Sequence, residues 1–246
     1  MSEAGHAMSI SEKINDAIAI KTVFTIHAFG KSVPISDTVV SSWIIMAILI
    51  VAAILLTRKM REIPRKPQLL LESFIGFINN FVTENAGHHG KDFTAFLGTI
   101  FIFLIAANLA PMISPIGGFG HEPLFVIKPL TRDINVTAAF AVTVIVTVLI
   151  SSFRYKGVGG WLKGLVSPIP IMLPFNLMEY AIKPLSLCLR LFGNILGAYI
   201  IMQLIEIAMP VAFPPLAGLY FDLFDGLIQA VVFAFLSTIY IAEAIE

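Results

Sequence analysis

The sequence predicts an all-α membrane protein with five membrane-embedded helices and one interfacial amphipathic helix. Of its 246 residues, 57% are hydrophobic and only 13% are charged, whereas soluble domains average about 25% charged residues. Several apolar runs approach or exceed the ~18 residues that distinguish a spanning helix from a helix buried in a soluble core. The net charge is zero, so the composition indicates neither a nucleic-acid partner nor an acidic substrate.

The expected elements follow these apolar runs along a single integral membrane domain. The first run begins near Trp43, an aromatic anchor of the membrane interface, and ends before the basic residues Arg58, Lys59 and Arg61. We assign residues 1–38 to an external N-terminal segment, and we expect spans at 39–57, 93–114 and 134–153, an interfacial helix at 64–87, and two long helices at 174–208 and 216–246.

The segment 64–87 differs from the spans because its apolar residues recur with a period of 3.6 and polar residues lie between them. Pro67 stands at its start, where the missing N–H costs nothing. A helix with one apolar face is expected to lie along the membrane surface.

The last two helices are too long for a perpendicular crossing. At 1.5 Å per residue, the helix at 174–208 would be about 52 Å long, against ~30 Å for the hydrocarbon layer. Prolines 210, 214 and 215 separate it from the helix at 216–246. We therefore expect a strongly tilted hairpin.

The distribution of Lys and Arg predicts the orientation. Residues 57–93 contain six and residues 154–173 contain three, whereas residues 114–135 contain two. Positive charge is enriched in cytoplasmic loops. This pattern places the N-terminus outside and, after five crossings, the C-terminus in the cytoplasm.

Arg190 is the most informative residue, because it lies inside an apolar run far from any loop. A permanently charged arginine at the centre of a bilayer costs from about 3 kcal/mol on insertion scales to above 10 in simulations. The nearest carboxylate on its helix face is Glu179, roughly 16 Å away along the axis. Its partner must come from the last helix or from another protein.

Arg190 belongs to a polar stripe on the helix at 174–208. At 100° per residue, the stripe members fall within about 80° of one another. Glu179 and Lys183 are spaced for an ordinary ion pair one turn apart, so these two also have a purely structural interpretation. The stripe comprises Glu179, Lys183, Ser186, Arg190, Asn194 and Gly197.

Further polar residues line the same two helices. Repeated carboxylates and amides in a spanning helix favour a hydrated path over lipid contact. Asp222 and Asp225 also have a structural interpretation, since acidic residues suit the start of a helix. The additional residues are Tyr199, Gln203 and Glu206 on the first helix, and Asp222, Asp225, Gln229, Tyr240 and Glu243 on the second.

Other chemistries are poorly supported. Cys188 is the single cysteine, the five histidines lie in loops or termini, and no cluster has metal-ligand spacing. We expect no metal site and no cofactor, and no catalysis of the kind found in soluble enzymes.

The segment from Asn176 to Leu196, which contains Pro184-Leu-Ser-Leu-Cys-Leu-Arg190-Leu-Phe-Gly-Asn194, strongly resembles subunit a of the F-type ATP synthases. Asp133-Ile-Asn135-Val-Thr137 resembles the motif that begins that family's next span, and Gln229 and Glu243 belong to a similar C-terminal helix. The resemblance covers nearly the whole chain.

The resemblance implies a non-catalytic, ion-translocating stator subunit, with ATP made by other subunits. Arg190 would face a rotating ring of c subunits, each with one membrane carboxylate, and would force each carboxylate to release its ion before it passes. Arg190 would also separate two half-channels, with Asn194 one turn away. The implied partners are the c-ring, the b-subunit peripheral stalk, the F1 sector through the assembled complex, and the lipid bilayer of a bacterial inner membrane.

The resemblance also implies candidates for the ion path. Relatives often carry an acid or a histidine where this chain has Tyr199, so Glu206 or Asp222 would take that role, because tyrosine is a poor proton acceptor at neutral pH. The outer half-channel would include Asp133, Tyr199, Gln203, Glu206, Asp222 and Gln229, and the inner exit would lie near Glu179 and Lys183. Asp225 and Glu243 are further candidates for the ion path, with no side assigned to them.

Two alternatives remain at this point. A secondary transporter could use Arg190 to bind an anionic substrate, but it would need matched inverted repeats, and the sequence has none evident. A purely structural anchor leaves the buried charge unexplained. The transported ion, proton or sodium, is a property of the ring and stays open.

Overall fold

The computed structural model describes residues 22–28, 31–58, 60, 66–113, 130–166, 169–208 and 214–245. It confirms the all-α membrane class, since five helices are long and apolar enough to cross a membrane and one further helix accompanies them. The helices are α1 (Asp37–Thr57), α2 (Lys66–Ala86), α3 (Thr94–Ile113), α4 (Ile134–Val166), α5 (Leu173–Ala208), α6 (Pro214–Gly218) and α7 (Gly226–Ile245).

The last hairpin of the fold contains an irregularity that the sequence pattern did not predict. A π-helical segment, Leu219–Asp225, joins α6 to α7, so the run from 214 to 245 is helical throughout but changes its hydrogen-bond register. A helical wheel at 100° per residue does not apply across this segment.

A short β-hairpin precedes the first span. Strands β1 (Thr22–Ala28) and β2 (Lys31–Ser36) pair antiparallel, with Ala28 opposite Lys31. The sequence pattern did not predict this hairpin within the N-terminal segment 1–38. The strand residues include several β-branched side chains, which favour extended backbone.

The third span continues beyond its predicted end. We expected a basic loop after residue 153, but α4 extends to Val166 with a kink at Gly157, whose φ is 70°. Only glycine adopts this backbone conformation without strain, and therefore the kink falls at this residue. The helical continuation carries Lys163 and Trp161.

The core lies where α2, α3, α4, α5 and α7 meet. Each helix contributes a stripe of buried apolar residues to one continuous cluster, and such interdigitated packing is the main attraction between helices in a membrane. Members that are almost completely buried include Val82, Leu104, Val144, Leu191, Phe233 and Ile241.

Helix α1 lies at the periphery. Its apolar contact with the rest of the molecule includes Ile45, which packs in a small cluster with Phe103, Ala107 and Leu130. Most of its other apolar side chains are exposed, including Ile48 and Leu55. This exposure is expected of a helix surrounded by lipid or by another membrane protein.

Helix α2 combines a buried and an open section. Ile78, Val82 and Ala86, spaced four residues apart, pack into the core, whereas Leu70 and Phe77 are exposed. The apolar face is thus only partly covered by the protein, as expected of a helix whose remaining apolar surface contacts lipid.

Candidate functional site

Helix α5 has a buried face and an open face. Leu187, Leu191 and Ile195 recur every four residues and are buried in or beside the core, because a spacing of four keeps side chains on one side of a helix. Arg190 and Asn194 are exposed on the other side. Arg190 and Asn194 therefore lie on the side of α5 away from its apolar packing.

Arg190 lies on this open face. Among the residues that the structure describes, it has no hydrogen-bond or ion-pair partner. Gly193, on the same exposed surface, has nothing within 4 Å of an added Cβ. The region around the guanidinium is therefore open to a neighbouring protein.

Asn194 joins the open face of α5 to the end of the π-helical segment and the start of α7. Its Nδ2 donates to both carboxylate oxygens of Asp225, at 2.9 and 2.8 Å, and is 3.4 Å from the Oε1 of Gln229. Gln229 is buried. Three of the sequence-predicted residues thus form one cluster, one helical turn from Arg190.

A second cluster lies toward the start of α5. The Lys183 Nζ is 3.3 Å from Glu179 and 2.9 Å from Glu243 of α7, and it lies 5.5 Å from the centre of the Tyr240 ring. The predicted ion pair between Glu179 and Lys183 is therefore present, and a carboxylate of the last helix extends it.

These charged residues border a cleft of about 410 Å³. Two walls of the cleft come from α4 and α7, and the third comes from the start of α5. Its polar lining includes Ser152, Lys156, Tyr180, Lys183, Tyr240 and Glu243. A space of this size, lined by charged and hydroxyl groups, is suited to holding water.

A third cluster lies around Asp133, just before α4. Its carboxylate accepts hydrogen bonds from Thr38 Oγ1 at 2.6 Å and from the backbone and side chain of Asn135 at 2.9 and 3.0 Å. Asp133 is only 2% exposed. It therefore caps α4 and fixes the start of α1 against it.

Arg132 extends this third cluster to α5. Its Nη2 is 3.5 Å from Asp37, and its guanidinium lies 5.3 Å from the centre of the Tyr199 ring. The guanidinium face and the aromatic ring attract each other electrostatically. Tyr199 is thus in contact with a buried cation, an environment that the sequence alone did not indicate.

Three predicted residues of the path lie in described helices, but their side chains fall outside the described part of the structure. They are Gln203, Glu206 and Asp222. Their roles remain expectations from the sequence.

The polar groups on α5 therefore form two separate regions. Lys183 marks one and Tyr199 the other, and Arg190 lies between them, at about 10 Å from the first position and 14 Å from the second along the helix axis. Arg190 is thus separated along the axis from both polar regions of α5.

Asn108, a buried residue of α3, was not among the candidate residues predicted from the sequence. Its Nδ2 donates to the backbone oxygen of Gly226 at 2.9 Å, and its Oδ1 accepts from Thr131 Oγ1 at 3.0 Å. A polar side chain in a spanning helix needs a hydrogen-bond partner. A lone amide inside the apolar run at 93–114 was therefore the signal that could have identified Asn108.

Known proteins are similar to this chain over most of its length. The family model described as ATP synthase A chain matches residues 39–242. The chain is 35% identical to the sodium ion specific ATP synthase subunit a of Propionigenium modestum, over 86% of this chain and 75% of that protein.

Two other relatives have similar coverage. The ATP synthase subunit a of Moorella thermoacetica is 36% identical over 87% of this chain and 93% of its own length. The ATP synthase subunit a 1 of Chlorobium luteolum is 32% identical over 89% and 92%. The chain therefore belongs to the ATP synthase A chain family, the family of the non-catalytic, ion-translocating membrane subunit of the F-type ATP synthase.

Proposed function

We propose that Arg190 is the electrostatic gate between two half-channels of the stator, and that it acts on the carboxylates of a rotating c-ring. The observation that carries this proposal is the exposure of Arg190 on the open face of α5, with no ion-pair partner among the described residues. A guanidinium at this depth requires a compensating charge, and a moving ring of acidic side chains supplies one.

The gate acts through charge rather than through proton transfer. A ring carboxylate that has lost its ion is attracted to Arg190, and the pair offsets part of the cost of burying both charges. Arginine stays protonated at any physiological pH. It therefore prevents ions from passing directly between the half-channels, and each carboxylate must release its ion before it moves past.

The outer half-channel leads to the cluster of Asn194, Asp225 and Gln229. These residues lie on the side of Arg190 away from Lys183 and offer acceptor oxygens and an amide for a chain of bound water. Asp133 and Tyr199 border its far end, together with Gln203, Glu206 and Asp222 as expected from the sequence.

The inner half-channel is the polar cleft beside Glu179, Lys183 and Glu243. Its volume of about 410 Å³ accommodates water, and its two carboxylates are more than half exposed. An ion released from the ring reaches bulk solvent by this route.

The orientation and partners follow from the same proposal. The chain spans a bacterial cytoplasmic membrane with its N-terminus outside and its C-terminus in the cytoplasm, as the excess of Lys and Arg at 57–93 and 154–173 indicates. It assembles with the c-ring and with the b subunits of the peripheral stalk, and it couples to F1 through the complete complex.

The test is ATP-driven ion pumping by membrane vesicles that contain the assembled complex. Arg190→Ala is expected to abolish pumping, and Arg190→Lys is expected to fail as well, since lysine has neither the planar fork nor a fixed charge. Arg154→Ala, at an exposed position of α4, is the matched control and should pump normally. Normal pumping by Arg190→Ala would disprove the gate.

A further inference from the structure

Asn108 connects three parts of the chain that are distant in sequence. It lies in α3, it is 4% exposed, and its side chain bonds to Gly226 at the start of α7 and to Thr131 in the turn before α4. Both partners are buried as well. A buried amide with both of its polar ends satisfied fixes its neighbours in one arrangement.

Gly226 is the residue at which the last hairpin changes register. The π-helical segment ends at Asp225 and α7 begins at Gly226. A π-helical turn contains an extra residue, and such segments occur frequently at functional sites. The hydrogen bond from Asn108 therefore acts at the junction where the π-helical segment ends and the α-helical register of α7 begins.

The contact also requires glycine. A Cβ on Gly226 would lie 3.0 Å from the Cβ of Asn108, which is too close for two carbon atoms. The φ of Gly226 is −59°, so close approach rather than backbone freedom explains this glycine. Helices α3 and α7 are thus in direct contact at the register change.

The residues around Gly226 are those that face Asn194. Asp225 precedes Gly226, Gln229 follows it by three residues, and both accept hydrogen bonds from Asn194 Nδ2. A slip of one residue at the junction would turn Asp225 toward a different side of the helix. Such a rotation would end its contact with Asn194.

We propose that Asn108 is a positioning residue of the ion path, which fixes the π-to-α junction so that Asp225 and Gln229 face Asn194. This inference rests on the proposed role of the Asn194 cluster beside Arg190. Asn108 does not line the path in this proposal; it acts through its hydrogen bond to the backbone of Gly226.

The geometric part of the proposal is tested by disulfide formation within the assembled complex. In a Cys188→Ala background, Asn194→Cys and Asp225→Cys are combined, and the rate of disulfide formation under mild oxidation is measured with and without Asn108→Leu. We expect Asn108→Leu to lower this rate by about tenfold, because one hydrogen bond of ordinary strength maintains the register. The control is Asn176→Leu, which removes another side-chain bond to a backbone oxygen, that of Leu165, and should leave the rate unchanged.

The functional part uses the chain with Asn194 and Asp225 intact. Asn108→Leu should reduce ATP-driven pumping while the amount of assembled complex stays normal. An unchanged disulfide rate would overturn the proposal. Loss of the complex in both Asn108→Leu and Asn108→Ser, which keeps a neutral hydrogen-bonding group, would also overturn it, because Asn108 would then be a folding residue. Normal pumping by Arg190→Ala would instead refute the gate and leave the positioning role intact.

Discussion

The side-chain amide of Asn194 donates to both carboxylate oxygens of Asp225, at 2.9 and 2.8 Å. This contact joins the two helices of the terminal hairpin one turn from Arg190. It involves an ionisable group and a neutral amide, so charge and hydrogen bonding at this point can be changed separately.

Exchanging the two side chains tests whether the contact itself matters. Asn194→Asp alone places two carboxylates together, and their repulsion is expected to reduce ATP-driven pumping by about tenfold or more. Adding Asp225→Asn restores one acid and one amide, and pumping should recover to within about threefold of the original chain, because the hydrogen bond can form again. Undiminished pumping by Asn194→Asp would show that the contact has no role.

The inner cluster should depend on its central cation. Lys183→Met leaves Glu179 and Glu243 without the ammonium group they share, and we expect slower pumping because two unscreened carboxylates retain the ion at the exit. Removing one acid as well, with Glu243→Gln, should restore part of the rate. Pumping rates of the single and double variants give the coupling directly.

The control for that series is Lys163→Met, which removes an exposed lysine of α4. Both carboxylates of the cluster are more than half exposed, so each ion pair contributes little to stability, roughly 0 to 1 kcal/mol. A large loss of assembled complex in Lys183→Met would contradict a role confined to ion exit.

The bond between Thr38 and Asp133 should contribute to stability. Thr38→Val removes the hydroxyl that donates to a buried carboxylate at 2.6 Å, and the expected cost is about 1.5 to 3 kcal/mol. Ser42→Ala is the control, because the Ser42 hydroxyl donates to the backbone oxygen of Val39 within its own helix turn. The melting temperature of the purified complex should fall for the first variant and stay nearly constant for the second.

The kink in α4 allows a comparison of two glycines. Gly157→Ala forces a side chain into a backbone with φ of 70° and ψ of 165°, at an expected cost of about 1 to 3 kcal/mol. Gly159→Ala, where an added Cβ meets nothing within 4 Å, should instead stabilise the helix by up to about 1 kcal/mol. Equal effects on thermal unfolding would mean that the kink is not maintained by Gly157.

The sequence predicted the spans because their signal is local. Apolar length identifies α1 and α3, and the spacing of Leu187, Leu191 and Ile195 separates the buried face of α5 from the face of Arg190. The ion pair of Glu179 with Lys183 was predictable for the same reason, since its partners lie one turn apart.

Long-range partners were not predictable in this way. The contacts of Arg132 with Asp37 and Tyr199, and of Asn108 with Gly226, join segments that are far apart in the chain. The π-helical segment was also missed, because a change of hydrogen-bond register leaves no periodic pattern in seven residues. The extension of α4 to Val166 was not predicted, because the several glycines after residue 153 are typical of a loop.

The most direct test of the proposed gate is whether the open face of α5 contacts the c-ring. Gly193→Cys, in a Cys188→Ala background, is combined with a cysteine in the ring helices near their membrane carboxylate, and Leu55→Cys on the exposed side of α1 is the control. We expect a disulfide between this chain and the proteolipid for position 193, with ATP hydrolysis by the coupled complex stopped, and none for position 55. No cross-link from position 193, or equal cross-linking from both positions, would contradict the proposed gate.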